Sequence, residues 1–377
     1  MLDGQYLLQE LVVDSRVPPR SSVAVLSCHA GVVNGGDLAR QYYESVVAPL
    51  LAEFDGGMAH AAGRLGQGSD VLGFDDAMSR DHDWGLRLTL LVEAEHVATL
   101  AEFIESRLPT EYLGYPTRFP LTTNGETRHR IDIDTAQQFS FALLGVDATS
   151  ELTVPEWLSL SGQSILEVIA GPLFEDSLGT ITTIRHQLRW YPDDLWRHVV
   201  AKSWARLAEE LPLVGRAGMR GDELGSSVIG ARLVSIAMHL GFQLERTWAP
   251  YPKWFGTAFQ ALPNASACTP ALSATLSATS WQDRETHLVH ACKQLYEFQR
   301  TTALPTVDGP MIEPFHDRPF PTVSQTAIDA LTTSTLPGAS IGVGSIDQWT
   351  DNVALLTAPA QRLPITQAMR SDGYSAS

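Results

Sequence analysis

Lysine is nearly absent from this chain: three occur in 377 residues, Lys202, Lys253 and Lys293, and the formal charge is −17. A protein that follows a long nucleic acid carries a basic face, because phosphate contacts dominate that affinity. A nucleic-acid partner is therefore disfavoured, although arginines could still cluster locally. Cysteine is as scarce. Cys28, Cys268 and Cys292 are odd in number and far apart, which argues against a disulfide framework and against a zinc site. Long apolar runs are missing too. No stretch reaches the length of a membrane span, and the first residues, with Asp3 and Glu10, offer no basic leader and no apolar core behind one. These absences lead to the expectation of a cytoplasmic protein in a reducing compartment, without membrane contact.

What the chain does contain is a turn followed by paired acids. Gly66-Gln67-Gly68-Ser69-Asp70 precedes Ser79-Arg80-Asp81-His82-Asp83-Trp84-Gly85, which leads into the apolar run Leu86-Arg87-Leu88-Thr89-Leu90-Leu91-Val92. Alternate side chains of an extended chain share a face, so Asp81 and Asp83 point the same way and His82 the other. Two adjacent carboxylates repel unless a cation lies between them. Mg²⁺ (or Mn²⁺), which prefers a few carboxylate oxygens together with nucleotide phosphates, fits that pair. Glycines at 66 and 68 let the backbone turn sharply and approach phosphate, and Ser69 can offer its N–H and its hydroxyl.

This arrangement resembles the nucleotidyltransferase superfamily of DNA polymerase beta and the kanamycin and lincosamide nucleotidyltransferases, whose Gly-Ser turn precedes Asp-x-Asp by roughly a dozen residues. A wider resemblance, to a bacterial nucleotidyltransferase-like family whose C-terminal part is a domain of unknown function, runs from about Asp37 to about Asp351. It rests on Gly-Ser-Asp-Val-Leu-Gly-Phe-Asp-Asp (68–76), Ser-Arg-Asp-His-Asp-Trp-Gly (79–85), Tyr-Pro-Asp-Asp-Leu-Trp (191–196), Gly-Asp-Glu-Leu-Gly-Ser (221–226), Ala-Pro-Tyr-Pro-Lys-Trp-Phe-Gly-Thr-Ala-Phe (249–259) and Asp-Arg-Pro-Phe (317–320). Leu86 departs from it, since proline is expected after Trp-Gly.

The resemblance implies an α+β protein: a small mixed-sheet nucleotidyltransferase core at 34–178 and a mainly α-helical domain at 179–360. Residues 1–33 read as an N-terminal extension and 361–377 as a polar, flexible tail. Within the core, Asp37 can cap a helix with Leu38, Tyr42, Val46, Leu50 and Phe54 at helical spacing, kinked at Pro49 and stopped by Gly56-Gly57. A strand near 58–65, the Asp-x-Asp strand, a helix near 94–108 and a strand at 128–134 follow. Gly171-Pro172 to Gly179 reads as a turn-rich linker. Beyond it, Pro192-Asp193-Asp194 opens a helix running to Leu211, Asp222 caps a long one, and another occupies about 282–301.

A third carboxylate is expected on a neighbouring strand, to complete the metal site or to take the acceptor's proton. Asp132, between Ile131 and Ile133, fits best, and Asp134 shares its face. Arg80 either touches phosphate or balances the acidic loop. Asp70, Asp75 and Asp76 read as spacer residues that solvate the loop and cap a short helix. Lys253, among Tyr251, Trp254 and Phe255, either grips the triphosphate from across the cleft or lies over aromatic surface. His287 and His290 are three apart on a helix but have no third ligand nearby, so they read as surface residues. The expected reaction is Mg²⁺-dependent transfer of a nucleoside monophosphate to a hydroxyl of a small-molecule acceptor with release of pyrophosphate, AMP from ATP being the expected case. Asp81, Asp83 and Asp132 would serve metal and chemistry, and Gly68, Ser69, Arg80 and Lys253 the nucleotide. Two other classes remain: a toxin-like enzyme modifying a protein or tRNA, and an idle nucleotide-binding protein, the latter disfavoured by retention of both Asp81 and Asp83.

Overall fold

Asn34, not Asp37, starts the first helix: its side chain accepts the Gly36 N–H at 2.7 Å, which satisfies an amide the helix cannot pair. Asp37 lies in the first turn of α1 (Gly35–Tyr42). The chain then widens into a π-helical turn (Tyr43–Val47) before α2 (Ala48–Phe54). Pro49, which can donate no hydrogen bond back along the helix, sits just inside α2, so the expected irregularity is absorbed by the π turn. The computed structural model describes residues 34–76, 84–121, 125–332 and 344–371. The extension read at 1–33 lies outside the described residues, and so do Arg80, Asp81, His82 and Asp83.

A five-stranded sheet follows. Its members are β1 (Ala61–Gly63), β2 (Arg87–Leu91), β5 (Arg118–Phe119), β6 (Arg128–Asp134) and β7 (Leu173–Asp176), in the order β5-β6-β2-β1-β7. A two-stranded ladder of β3 (Glu111–Tyr112) and β4 (Tyr115–Pro116) stands beside it. β2 and β6 are parallel, joined through α3 (Ala94–Arg107), and the other pairs are antiparallel, so the sheet is mixed as expected. Leu88, Leu90 and Ile131 face α1, α2 and α3, packing with Leu38, Tyr42, Val47, Leu100 and Ile104. The alternate positions of β2 turn to the other side, where Leu91 joins the core of the helical region.

The segment read as a linker at 171–179 instead supplies β7, whose Asp176 pairs with Ala61 and Glu175 with Ala62. Four residues are too few for alternation to show, and their partner lies more than a hundred positions earlier, so local pattern could not reveal the pairing.

The helical region comprises α4 (Ala136–Leu144), α5 (Val154–Ser159), α6 (Gly162–Ile169), α7 (Thr180–Gln187), the long pair α8 (Asp193–Gly218) and α9 (Glu223–Leu244), α10 (Pro252–Gln260), α11 (Thr269–Ser277) and α12 (Trp281–Gln299). After the β8 (Ile312–Pro314) and β9 (Pro321–Val323) hairpin come α13 (Gln325–Thr332), α14 (Ile346–Trp349), α15 (Val353–Leu356) and α16 (Pro359–Ser371). Asp222 caps α9 as read, accepting the Gly225 N–H at 2.7 Å. α8 does not stop at Leu211. It runs through a buried Pro212 to Gly218, where a Cβ would stand 2.0 Å from the Trp281 ring. Burial of Val214 and this close approach to α12 offset the roughly 3 kcal/mol that an interior proline costs.

The stretch after Gln361 read as a tail enters α16, where fully buried Arg362 donates to the carbonyls of Leu143, Leu144 and Leu356 and to Ser161 Oγ. The described residues belong to one compact unit. The reading that no stretch reaches the length of a membrane span is corrected by α9, which among the described residues is long and apolar enough to cross one, with 56% of its apolar window buried.

Candidate active site

Arg64 follows β1 directly and is 2% exposed. Its guanidinium grips Asp70 with two parallel bonds, Nε to Oδ2 at 2.7 Å and Nη2 to Oδ1 at 2.9 Å. It also donates to the carbonyls of Leu65 and Gln67, each at 2.8 Å. The turn from 65 to 70 is thus wound around one buried cation. Asp70 is the partner that makes this burial tolerable, since an unpaired charge there would cost several kcal/mol. The sequence reading of Asp70 as a solvating spacer residue is corrected accordingly.

Gly68 lies against this clamp. Its φ is +150°, and a Cβ would meet Asp70 Oδ1 at 2.2 Å and Arg64 Nη2 at 2.3 Å. Gly66, at φ +84°, turns its N–H onto the carbonyl of Glu167 at 2.7 Å. Burial pushes the Glu167 carboxyl upward in pKa, and Gln163 donates to it at 2.9 Å, so α6 forms a floor beneath the loop. The Ser69 carbonyl receives the Phe74 N–H at 2.9 Å and closes the next turn. Asp75 accepts from Gly35 N at 2.7 Å and from Trp84 Nε1 at 3.3 Å, tying the loop to the start of α1 and to the chain entering β2. A hollow of about 390 Å³ beside the loop is bordered by Asp37, Arg40, Asp70, Gly73 and Pro172.

Asp132 is placed by the β2–β6 ladder. It pairs with Thr89, while Arg87 pairs with Arg130 and Leu91 with Asp134, so these side chains share the face turned away from α1 and α3. The Asp132 carboxylate is 56% exposed, with Arg128 at 3.5 Å. Asp134 is engaged at the strand end, accepting the Thr135 N–H at 2.8 Å. Level with Thr89 on the other side is Gly63, the last residue before the Arg64 clamp, so the loop and Asp132 belong to the same end of the sheet. Glu126, two residues before β6 begins, is an exposed acid that the sequence reading did not weigh.

Lys253 is exposed on α10, its ammonium 4.9 Å over the Trp254 ring. That is the contact of the aromatic-covering alternative. Trp254 itself stacks on Phe74, ring centroids 5.4 Å apart and planes within 6°, which brings α10 against the chain five residues beyond Ser69. The structure therefore sets α10 against Phe74, the residue whose N–H closes the turn onto the Ser69 carbonyl. Among the described residues no three His, Cys, Asp or Glu side chains form a metal-holding group.

Arg64 is the residue that sequence reasoning passed over. Its signal was an arginine at the end of a short apolar strand with an aspartate six positions on, which becomes legible only once the turn is known to fold back over it.

Residues 157–255 match the domain of unknown function DUF4037. That stretch extends from α5 into α10 and includes the edge strand β7, while the other four strands of the sheet lie outside it. A solved nucleotidyltransferase-like protein from Exiguobacterium sibiricum is similar over 70% of this chain and 74% of its own, at 12% identity and a TM-score of 0.31. A similarity of that size carries no argument about activity. No curated protein matches.

Proposed function

We propose that this protein is a metal-dependent nucleotidyltransferase that moves a nucleoside monophosphate, AMP from ATP, onto a hydroxyl of a small molecule and releases pyrophosphate. The observation that carries the reading is the Arg64–Asp70 clamp, which holds the Gly66–Ser69 turn directly after β1, in the same sheet as β2 and the adjoining parallel strand that carries Asp132. In this reading residues 34–178 carry the chemistry, 179–360 form the helical domain, and the protein works in the cytoplasm.

Asp81, Asp83 and Asp132 would hold Mg²⁺ or Mn²⁺, and the exposed Asp132 carboxylate is compatible with that use. When bound, the metal supplies neutralisation of charge on the phosphates. The chain's own residues do the rest. Gly66 and Gly68 allow backbone N–H groups to approach the β- and γ-phosphates, and Ser69 adds its hydroxyl. Arg80 and Lys253 offer cationic donors to the triphosphate, the latter from α10 through the Trp254–Phe74 stack. The acceptor oxygen forms its bond to the α-phosphorus as the bond to the bridging α–β oxygen breaks. Asp132 either completes the metal site or receives the acceptor's proton. Most of the acceleration comes from positioning and charge neutralisation.

The test is a transfer assay with the four α-labelled nucleoside triphosphates, Mg²⁺ and the small-molecule fraction of a cell extract. A labelled product accompanied by pyrophosphate supports the proposal. Release of label as free monophosphate only, with every triphosphate, refutes it.

A further inference from the structure

A second cavity, of about 670 Å³, lies within the helical region, bounded by α8, α9, the chain entering α10 and residues 347–357. Its size is that of a small-molecule site. One side is apolar, formed by Val228, Ile236, Ala249, Pro250 and Phe255. Positions 228, 232, 235, 236 and 239 of α9 share one helical face, so Arg232, Ser235 and His239 bring polar groups in among the apolar ones.

Two donors in the cavity wall, on Arg206 and Trp349, are short of acceptors. Arg206 on α8 and Arg232 on α9 share a single carboxylate, Glu210, which takes Arg232 in a close pair and stands 3.8 Å from Arg206. Among the described residues this is the only ion pair of Arg206, which is partly withdrawn from water; burial lowers its pKa. Trp349 Nε1 is buried and has no acceptor among the described residues. His239 lies tilted against Phe255, ring centroids 4.6 Å apart, and burial with the nearby Arg206 charge pushes it down to about 4, so it enters the wall as a neutral ring.

The cavity also carries two acids. Burial pushes Asp347 up to about 6, against the lowering influence of the Gly162 N–H it accepts at 2.7 Å at the start of α6 and of the Arg362 charge. Asp351 is exposed at the rim, where its charge acts on Arg206.

We propose that this cavity binds a small organic carboxylate, its apolar or aromatic body between Val228, Ile236, Pro250 and Phe255 and its carboxylate on Arg206 and the Trp349 indole. A buried donor left without an acceptor is costly, and a planar carboxylate matches the fork of a guanidinium. The inference does not rest on nucleotidyl transfer, and binding is read without turnover.

The probe is one aromatic body with three heads: biphenyl-4-carboxylate, its neutral amide and the corresponding benzylic amine, each titrated calorimetrically into the full chain at neutral pH. The carboxylate is expected to bind at least tenfold more tightly than either of the others. Arg206→Gln should weaken it about tenfold, equivalent to about 1.4 kcal/mol. Ser235→Trp, a substitution at an exposed cavity position, should block it while circular dichroism stays native. If Arg206→Gln does not fold, Ser235→Trp decides. Absence of carboxylate binding, equal or tighter binding of the amide or amine, or undiminished binding in the folded variants overturns the proposal.

Discussion

The turn at residues 65–70 and the cavity between α8 and α9 are both built around arginine, and they use it in opposite ways. Arg64 is spent internally: four hydrogen bonds commit its guanidinium to Asp70, Leu65 and Gln67. Arg206 has a long ion pair with Glu210 and faces open volume. A fully paired buried charge shapes backbone, whereas an underused one at a cavity wall attracts a ligand group. In this molecule the first kind of arginine therefore organises the turn at 65–70, and the second is available for contact.

The strongest way to break this contrast is Arg64→Ala. Removing the cation leaves Asp70 buried and unpaired, so a loss of about 3–5 kcal/mol is expected by urea denaturation, a large part of a domain's stability. Arg206→Ala should cost far less. Equal losses at the two positions would show that Arg206 is structural as well.

Next in size is the third acid. Asp132→Asn is expected to lower turnover about 100-fold, about 3 kcal/mol of transition-state stabilisation, with little change in apparent ATP affinity. Glu126→Gln and Asp134→Asn should be milder in the same steady-state assay. A larger loss at Glu126 would show that the third acid precedes β6 and is not Asp132.

Lys253 offers a smaller, sharper test. If its ammonium reaches the triphosphate, Lys253→Ala should weaken ATP binding about tenfold, about 1.4 kcal/mol, and leave AMP unchanged. Equal, slight effects on both ligands with a small stability loss would reduce it to the cation–π contact with Trp254.

These residues also show what the sequence could reveal. α3 and α9 were legible because apolar spacing and, for α9, the Asp222 cap are local properties, and the paired glycines at 66 and 68 marked a turn for the same reason. Everything that depends on distant partners was hidden. β7 exists because β1 needs an edge partner, Arg362 is buried because Leu143 and Leu144 present carbonyls to it, and the cavity draws on positions 206, 232, 239 and 349 from separate segments. Asp132 was legible as an acid on a strand, but its level relative to Arg87 came only from the ladder.

The smallest expected effect concerns a buried acid remote from both sites. Glu285 has its Oε2 unpartnered among the described residues, next to the space a Gly215 Cβ would fill, and burial raises its pKa to about 7. The unfolded chain releases that proton near the ordinary glutamate value, about 4.3, while the folded one holds it until about pH 7. Its contribution to stability is therefore lost as pH rises through that window. Glu285→Gln should gain thermal stability over the parent protein between pH 5 and pH 8, by a few degrees in Tm. A constant difference across that range would contradict the assignment.

The most direct test of the proposed chemistry is pyrophosphate release from ATP, with an acceptor identified in the labelled screen, by the parent protein and by Asp81→Asn and Asp83→Asn, each with Mg²⁺ and with chelator. The account predicts release by the parent protein only when the divalent ion is present, and none from either variant while circular dichroism remains native. Release at the parental rate from either folded variant, or release indifferent to chelator, would contradict it.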